Sequence, residues 1–223
     1  MLTVLTPSGG RPEALAMLAQ YLNAQTVREF RWLICDDCDP ASPVPHMREG
    51  ITVEVIRPAW RWSEGLNTHA RSLTALLARC DGPVVHCEDD DCYLPEHLAT
   101  MAQALAKADL VGQRVSHYWN AATRRYKAIP GTVHASLGAS SMQGRAAVVL
   151  AQICAQQQTR LDIDLWRKLV GRKQLLESVT AVGIKGLPGR GGIGVGHRLD
   201  FGEPDPDGSR LKALIGDYAA NYL

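Results

Sequence analysis

Four consecutive carboxylates, Glu88-Asp89-Asp90-Asp91, follow directly on the apolar run Pro83-Val84-Val85-His86-Cys87, and Cys92-Tyr93-Leu94-Pro95 comes next. A short apolar run bounded in this way reads as a buried strand, and the proline after it opens a helical pattern. The chain must therefore hold four like charges at a strand-to-helix turn, where adjacent carboxylates repel one another unless a cation or solvent lies among them. Two readings stand on these residues alone. One is a cation site at the carboxyl end of a strand, where open α/β sheets bind their ligands; the other is a solvated acidic turn.

The chain has 223 residues, 46% of them apolar, which suffices for a buried core in one large domain or two small ones. A formal net charge of +1 gives no global attraction to nucleic acid or acidic lipid. No run reaches the apolar length of a membrane span, and the N-terminus lacks the basic-then-apolar layout of a signal peptide, so a soluble cytoplasmic protein is expected. Its six cysteines are then expected to be reduced thiols. Cys35 and Cys38 have zinc-like spacing, but no second pair completes a site.

Taken in order, Leu2 to Leu5 is a strand candidate, Thr6 to Gly10 a break, and Arg11-Pro12-Glu13 a helix start carrying Leu15, Leu18, Ala19 and Leu22 on one face. Strands are predicted at Phe30 to Cys35, ending in Asp36-Asp37, at Ile51 to Ile56 and at Leu110 to Val115. Leu73, Leu76, Leu77 and Cys80 mark a helix before the acidic strand, and Leu98, Met101, Ala102 and Leu105 one after it. Such alternation implies an α/β fold with a mainly parallel sheet covered by helices on both faces. Tyr118 to Ile129 reads as a hairpin, and Ala146 to Gln156 and Ile163 to Leu176 as helices. Gly183 to His197 holds seven glycines in fifteen residues and is predicted to be a mobile loop. It lacks the Gly-Lys-Ser/Thr of a phosphate-binding Walker loop.

The order of the motifs resembles the GT-A glycosyltransferases, especially the family 2-like group that uses nucleotide-diphosphate sugars. The residues that carry the likeness are Thr6-Pro7, Arg11-Pro12, Asp36-Asp37, Gly65 with Ala70-Arg71, Glu88-Asp89-Asp90-Asp91 with Pro95, and Leu161-Asp162-Ile163-Asp164-Leu165-Trp166. Glu88 stands where the family's metal motif starts with aspartate, and Leu161 where its acid-rich segment has glutamate. The resemblance implies a single GT-A (Rossmann-like) domain over 1–223, with a nucleotide-sugar-binding half at 1–115 and an acceptor-binding half at 116–223. It also implies a metal-dependent, inverting glycosyltransferase that takes a nucleotide-diphosphate sugar, a UDP-sugar being the leading choice, with Mn²⁺ or Mg²⁺ as cofactor.

By the same resemblance Asp162 is the catalytic base. Asp90, Asp91 and His197 hold the metal, with Glu88 helping there or at the ribose. Thr6, Pro7, Arg11, Asp36, Asp37, Arg71, Glu88, Asp89 and Arg190 contact the nucleotide-sugar. Two rival readings remain open: a nucleotidyltransferase of similar topology, for which Ser8-Gly9-Gly10-Arg11 speaks faintly, and a nucleotide-sugar-binding module without turnover. The acceptor is also open. Arg114, Arg124, Arg125 and Lys127, interleaved with Tyr118, Trp119 and Tyr126, could grip a nucleic acid carrying a hydroxylated base, form a glycan-binding wall, or be an ordinary hairpin. A second basic run, Arg160, Arg167, Lys168, Arg172 and Lys173, adds a little to the polyanion reading.

Overall fold

The computed structural model describes residues 1–63, 66–156, 159–189, 192 and 195–223. The first half runs β1 (Thr3–Ser8), α1 (Pro12–Asn23), β2 (Phe30–Asp36), β3 (Ile51–Ile56), α2 (His69–Leu77), β4 (Val84–His86), β5 (Cys92–Tyr93), α3 (His97–Leu105) and β6 (Leu110–Gln113). The second runs β7 (Val115–Asn120), β8 (Arg125–Pro130), β9 (Ser140–Met142), α4 (Arg145–Gln156), α5 (Leu161–Lys168), β10 (Lys173–Leu176), β11 (Ala181–Lys185), β12 (Glu203–Pro204) and α6 (Ser209–Ile215).

Seven strands form one sheet in the order β10-β6-β9-β4-β1-β2-β3. Its pairs are parallel except where β9 joins β4 to β6. A smaller sheet of order β12-β8-β7-β11-β5 packs beside it. Side-chain alternation along the central strands feeds two cores. Val4, Trp32 and Ile34 face α1, α3 and the C-terminal segment. Leu5, Leu33 and Cys35 face α2, α4 and α5.

The structure departs from the sequence expectations in three places. β1 continues through Pro7 to Ser8, beyond the expected break. Proline is tolerated there because its missing amide faces the β4 side, and pairing with β4 ends at Leu5. The helix expected over Ile163 to Leu176 stops at Lys168, and β10 follows. Lys173 Nζ folds back to donate to the Trp166 and Leu169 carbonyls at 2.7 and 3.1 Å, closing the helix end. Finally, Gly183 to Lys185, placed in the loop by glycine content, is the fully buried end of β11, hydrogen-bonded in parallel to β7.

The hairpin is present as β7 and β8. Of its basic and aromatic residues only Trp119 is buried; Arg124 and Lys127 are exposed, and Arg114, Tyr118, Arg125 and Tyr126 are half-buried. Trp119 is buried and donates from Nε1 to Asp205 at 3.1 Å, while Arg124 donates to the carbonyls of Pro206 and Leu223 and Arg125 to that of Gly202.

His97, at the start of α3, ties that helix to the small sheet through a 2.9 Å bond between Nδ1 and the Thr180 hydroxyl, and its ring lies 4.8 Å from that of Tyr93. Burial alone drives its pKa from 6.5 to about 3. The unfolded chain therefore binds one more proton than the folded chain between those values, so stability rises with pH across the window and is lost on acidification. Denaturant unfolding at stepped pH is expected to show this slope. His97→Gln, in which the unfolded chain no longer takes up that proton, is expected to flatten it by about 1.4 kcal/mol per pH unit.

Candidate active site

The chemistry-bearing residues meet at the carboxyl ends of β1, β2 and β4, where the parallel strands of an open sheet point their last residues into one crevice. The four acids follow β4 and are turned back by Tyr93. Its hydroxyl accepts from the Glu88 amide at 2.8 Å and donates to the Gly138 carbonyl at 2.9 Å. Two distant cations hold them. Arg11, just before α1, donates to Asp89 at 2.5 Å and to Asp90 at 2.7 Å. Lys185, the last residue of β11, places Nζ 2.8 Å from Asp91, 3.3 Å from Glu88 and 3.5 Å from Asp90.

The acids divide into two roles by geometry. Asp89 is bound by Arg11 and by the Ser8 hydroxyl at 2.9 Å. Glu88, Asp90 and Asp91 form a separate group, each offering one oxygen within 4.8 Å of the others. Gly138 closes over that group: a Cβ at this position would meet an Asp91 oxygen at 2.6 Å and the Glu88 carboxyl carbon at 3.2 Å. Three hard oxygen donors in such a cradle suit Mg²⁺ or Mn²⁺. Two permanent cations against four carboxylates leave negative charge to spare.

The protonation balance reflects that surplus. Burial works against the Glu88 carboxylate, but Lys185, then His69 and His86, hold its pKa well below the usual range. Burial pushes Asp91 up, and the charges of Glu88 and Asp90 add to it against the pull of Lys185. Burial lowers the basicity of Lys185, yet Asp90, Asp91 and Glu88 more than reverse this and keep its ammonium charged.

The remaining sequence candidates lie around this centre. The Thr6 hydroxyl is buried and accepts from Trp32 Nε1 at 2.9 Å, and Pro7 is buried beside it in β1. Asp36 accepts from the Cys38 and Ser42 amides, each at 2.9 Å, and from Arg57, and these donors lower its pKa against burial. Asp37 is fully buried, with its amide bonded to the Ser8 carbonyl at 3.0 Å. Asp162 is half-buried in the first turn of α5. Burial raises its pKa, the Ile163 amide at 2.8 Å opposes this, and it lies within electrostatic reach of His134 and Glu88. Asp164 is buried and paired with Arg167 at 2.9 Å.

His197 is half-buried within the field of Lys185, Asp90, Arg11 and Glu88. Burial, then Lys185, lowers its pKa to about 4. It is not one of the 4.8 Å group. Arg71 is exposed on α2, and the neighbouring His69 is instead the residue that reaches the Glu88 field. Arg190, like Gly65 of the Ala-Arg motif, lies outside the described residues.

Sequence reasoning missed Lys185, Ser8, Tyr93 and Gly138. Lys185 had a signal: Ala181-Val182-Gly183-Ile184 is a strand-like run, and a lysine at its end invites the question of what neutralises it.

No family model matches the chain. A glycosyltransferase of Haemophilus influenzae, itself uncharacterized, is 29% identical over 105 residues, which are 47% of this chain and 34% of that protein. The chain thus spans about a third of the length of the curated relative it matches. Among solved structures, a 1–349 fragment of S. aureus TarS in complex with UDP-GlcNAc superposes with a TM-score of 0.59 at 14% identity, over 86% of this chain and 59% of the fragment. The same fragment with UDP gives 0.56 at 13% identity, over 82% and 60%. The fold is that of the GT-A glycosyltransferases. In the GT-A fold of this chain, the acid cluster, Arg11 and Lys185 share the crevice at the strand ends.

Arg11 carries two of the four acids. Arg11→Ala would leave Asp89 and Asp90 buried without their guanidinium, and is expected to cost about 3 kcal/mol or more in urea unfolding. A change below about 1 kcal/mol would mean that the pairing contributes little.

Proposed function

We propose that this chain is a metal-dependent, inverting glycosyltransferase that moves a sugar from a nucleotide-diphosphate sugar to an acceptor hydroxyl. The observation that carries the reading is the three-oxygen group of Glu88, Asp90 and Asp91 at the end of β4 in a GT-A fold. UDP-GlcNAc and UDP are bound in the TarS structures that share this fold, which supports a UDP-sugar as the donor.

Glu88, Asp90 and Asp91 would hold Mn²⁺ or Mg²⁺, with the neutral imidazole of His197 available as a further ligand. A divalent ion held by these residues would supply positive charge against the diphosphate. The nucleotide would lie along the ends of β1 and β2, over the buried Thr6, Pro7 and Asp37, beside the segment that Asp36 braces through the Cys38 and Ser42 amides. Asp89 acts through Arg11, keeping that guanidinium beside the diphosphate. Arg71 would approach the donor from α2.

Asp162 is the base. Its raised pKa and half-buried position near Glu88 suit a carboxylate that must accept a proton close to neutral pH. An acceptor hydroxyl oxygen attacks the anomeric carbon, the bond from that carbon to the β-phosphate oxygen breaks, and the hydroxyl proton passes to an Asp162 oxygen. Attack in line with the departing diphosphate inverts the anomeric centre. Asp164, already paired with Arg167, is not free for this step.

The test is release of nucleoside diphosphate from a panel of sugar donors in the presence of an acceptor library. Asp162→Asn is expected to lower kcat by about 10²–10⁴ with donor affinity within twofold of the parent. Unchanged turnover in that variant would remove Asp162 from the chemistry. Tight donor binding without product from any acceptor would return the reading to a binding module.

A further inference from the structure

Lys185 sits where a divalent cation would sit. Its Nζ touches all three carboxylates of the proposed metal group, at 2.8, 3.3 and 3.5 Å, and its side chain is 7% exposed. A magnesium-sized ion bonds oxygen at about 2.1 Å and draws its ligands tightly inwards. Two positive charges cannot share these oxygens at such distances without strong repulsion. Occupation by the ammonium and by the ion therefore exclude one another.

The protein also provides the lysine with a dedicated path. Its stem runs through a slot between Gly183, Gly196 and the face of Tyr118. A Cβ on Gly183 would meet Tyr118 at 2.5 Å and the Lys185 Cε at 3.4 Å, and one on Gly196 would meet the Lys185 Cγ at 3.0 Å. Nζ is 5.9 Å from the Tyr118 ring centroid, within the range of a cation–π contact. The two glycines leave the stem its place beside the ring, and Tyr118 already lies near the ammonium.

Resting on the reading of Glu88, Asp90 and Asp91 as the divalent-cation site, we infer that Lys185 is an internal competitor for that site: its ammonium holds the three carboxylates together before metal arrives and withdraws when metal enters. The freed ammonium, with three donors, is then placed to meet oxygens of the incoming diphosphate. Metal and nucleotide diphosphate bind cooperatively as a result, because the diphosphate takes over the partners that the lysine loses. By linkage the coupling is reciprocal. Metal alone binds weakly.

The experiment is a Mn²⁺ titration of the full chain without nucleotide, read by electron paramagnetic resonance of free Mn²⁺, on the parent and on Lys185→Met. The methionine keeps an apolar stem in the slot and removes the charge. Affinity for Mn²⁺ is expected to rise at least tenfold in the variant, and Mn²⁺ is expected to raise its thermal midpoint more than that of the parent. Equal or weaker binding in a folded variant overturns the inference and leaves the metal reading intact. Absence of Mn²⁺ binding in both proteins overturns the inference together with that metal reading. The parent chain gives a second readout that needs no variant. Amine-reactive labelling of Lys185, followed by mass spectrometry, is expected to increase when Mn²⁺ alone is added; unchanged labelling in Mn²⁺-saturated protein contradicts withdrawal.

Discussion

Four adjacent carboxylates at the end of β4 can be kept in a folded crevice because Arg11 and Lys185 are brought to them from opposite ends of the chain. Either cation alone would leave buried negative charge uncompensated, at a cost of several kcal/mol. The rest of the architecture follows from that requirement. Arg11 reaches Asp89 and Asp90 at 2.5 and 2.7 Å because β1 runs on through Pro7 before α1 begins. Lys185 reaches Asp91 at 2.8 Å because β11 pairs with both β7 and β5 and ends beside the acids.

The same pairing separates structural from chemical work within one run of four acids. Asp89 is committed to Ser8 and Arg11, and so ties β1 and the start of α1 to the acid turn. Glu88, Asp90 and Asp91 share the Lys185 ammonium, with Arg11 also on Asp90, and the lysine stem packs against Gly183, Gly196 and Tyr118. Such pairing holds the acids together within the folded chain. A fully solvated acidic turn would need neither the buried lysine nor the glycine above it at position 138.

Much of the frame was legible in the sequence. The alternating apolar runs located β2 and β3 almost to the residue, and the Arg-Pro-Glu start located α1, because local patterning and tertiary packing agree there. The acid run itself announced a strand-end site. What could not be read depended on partners far away in sequence. Lys185 lay hidden in a glycine-rich stretch whose composition argued for a loop, yet Gly183 is glycine because Tyr118 packs against the space its side chain would fill. β10 carried helical spacing, and only the turn at Val170-Gly171, with the Asp109 carboxylate accepting from the Arg172 amide at 2.8 Å, converts it into an edge strand beside β6. The resemblance pointed to Asp162 rather than Asp164, and the pairing of Asp164 with Arg167 depends on a helical contact that the motif does not display.

In the proposed function the acid cluster binds a nucleotide-diphosphate sugar through a divalent cation. The most direct measurement is calorimetric titration of a panel of UDP-sugars and other nucleotide-diphosphate sugars in Mn²⁺, in Mg²⁺ and in EDTA, on the parent chain and on Asp90→Ala. Saturable binding of at least one nucleotide-sugar is expected with metal, abolished by EDTA and by the substitution. Failure of every nucleotide-sugar to bind with either metal, in a chain shown to be folded, would contradict that function.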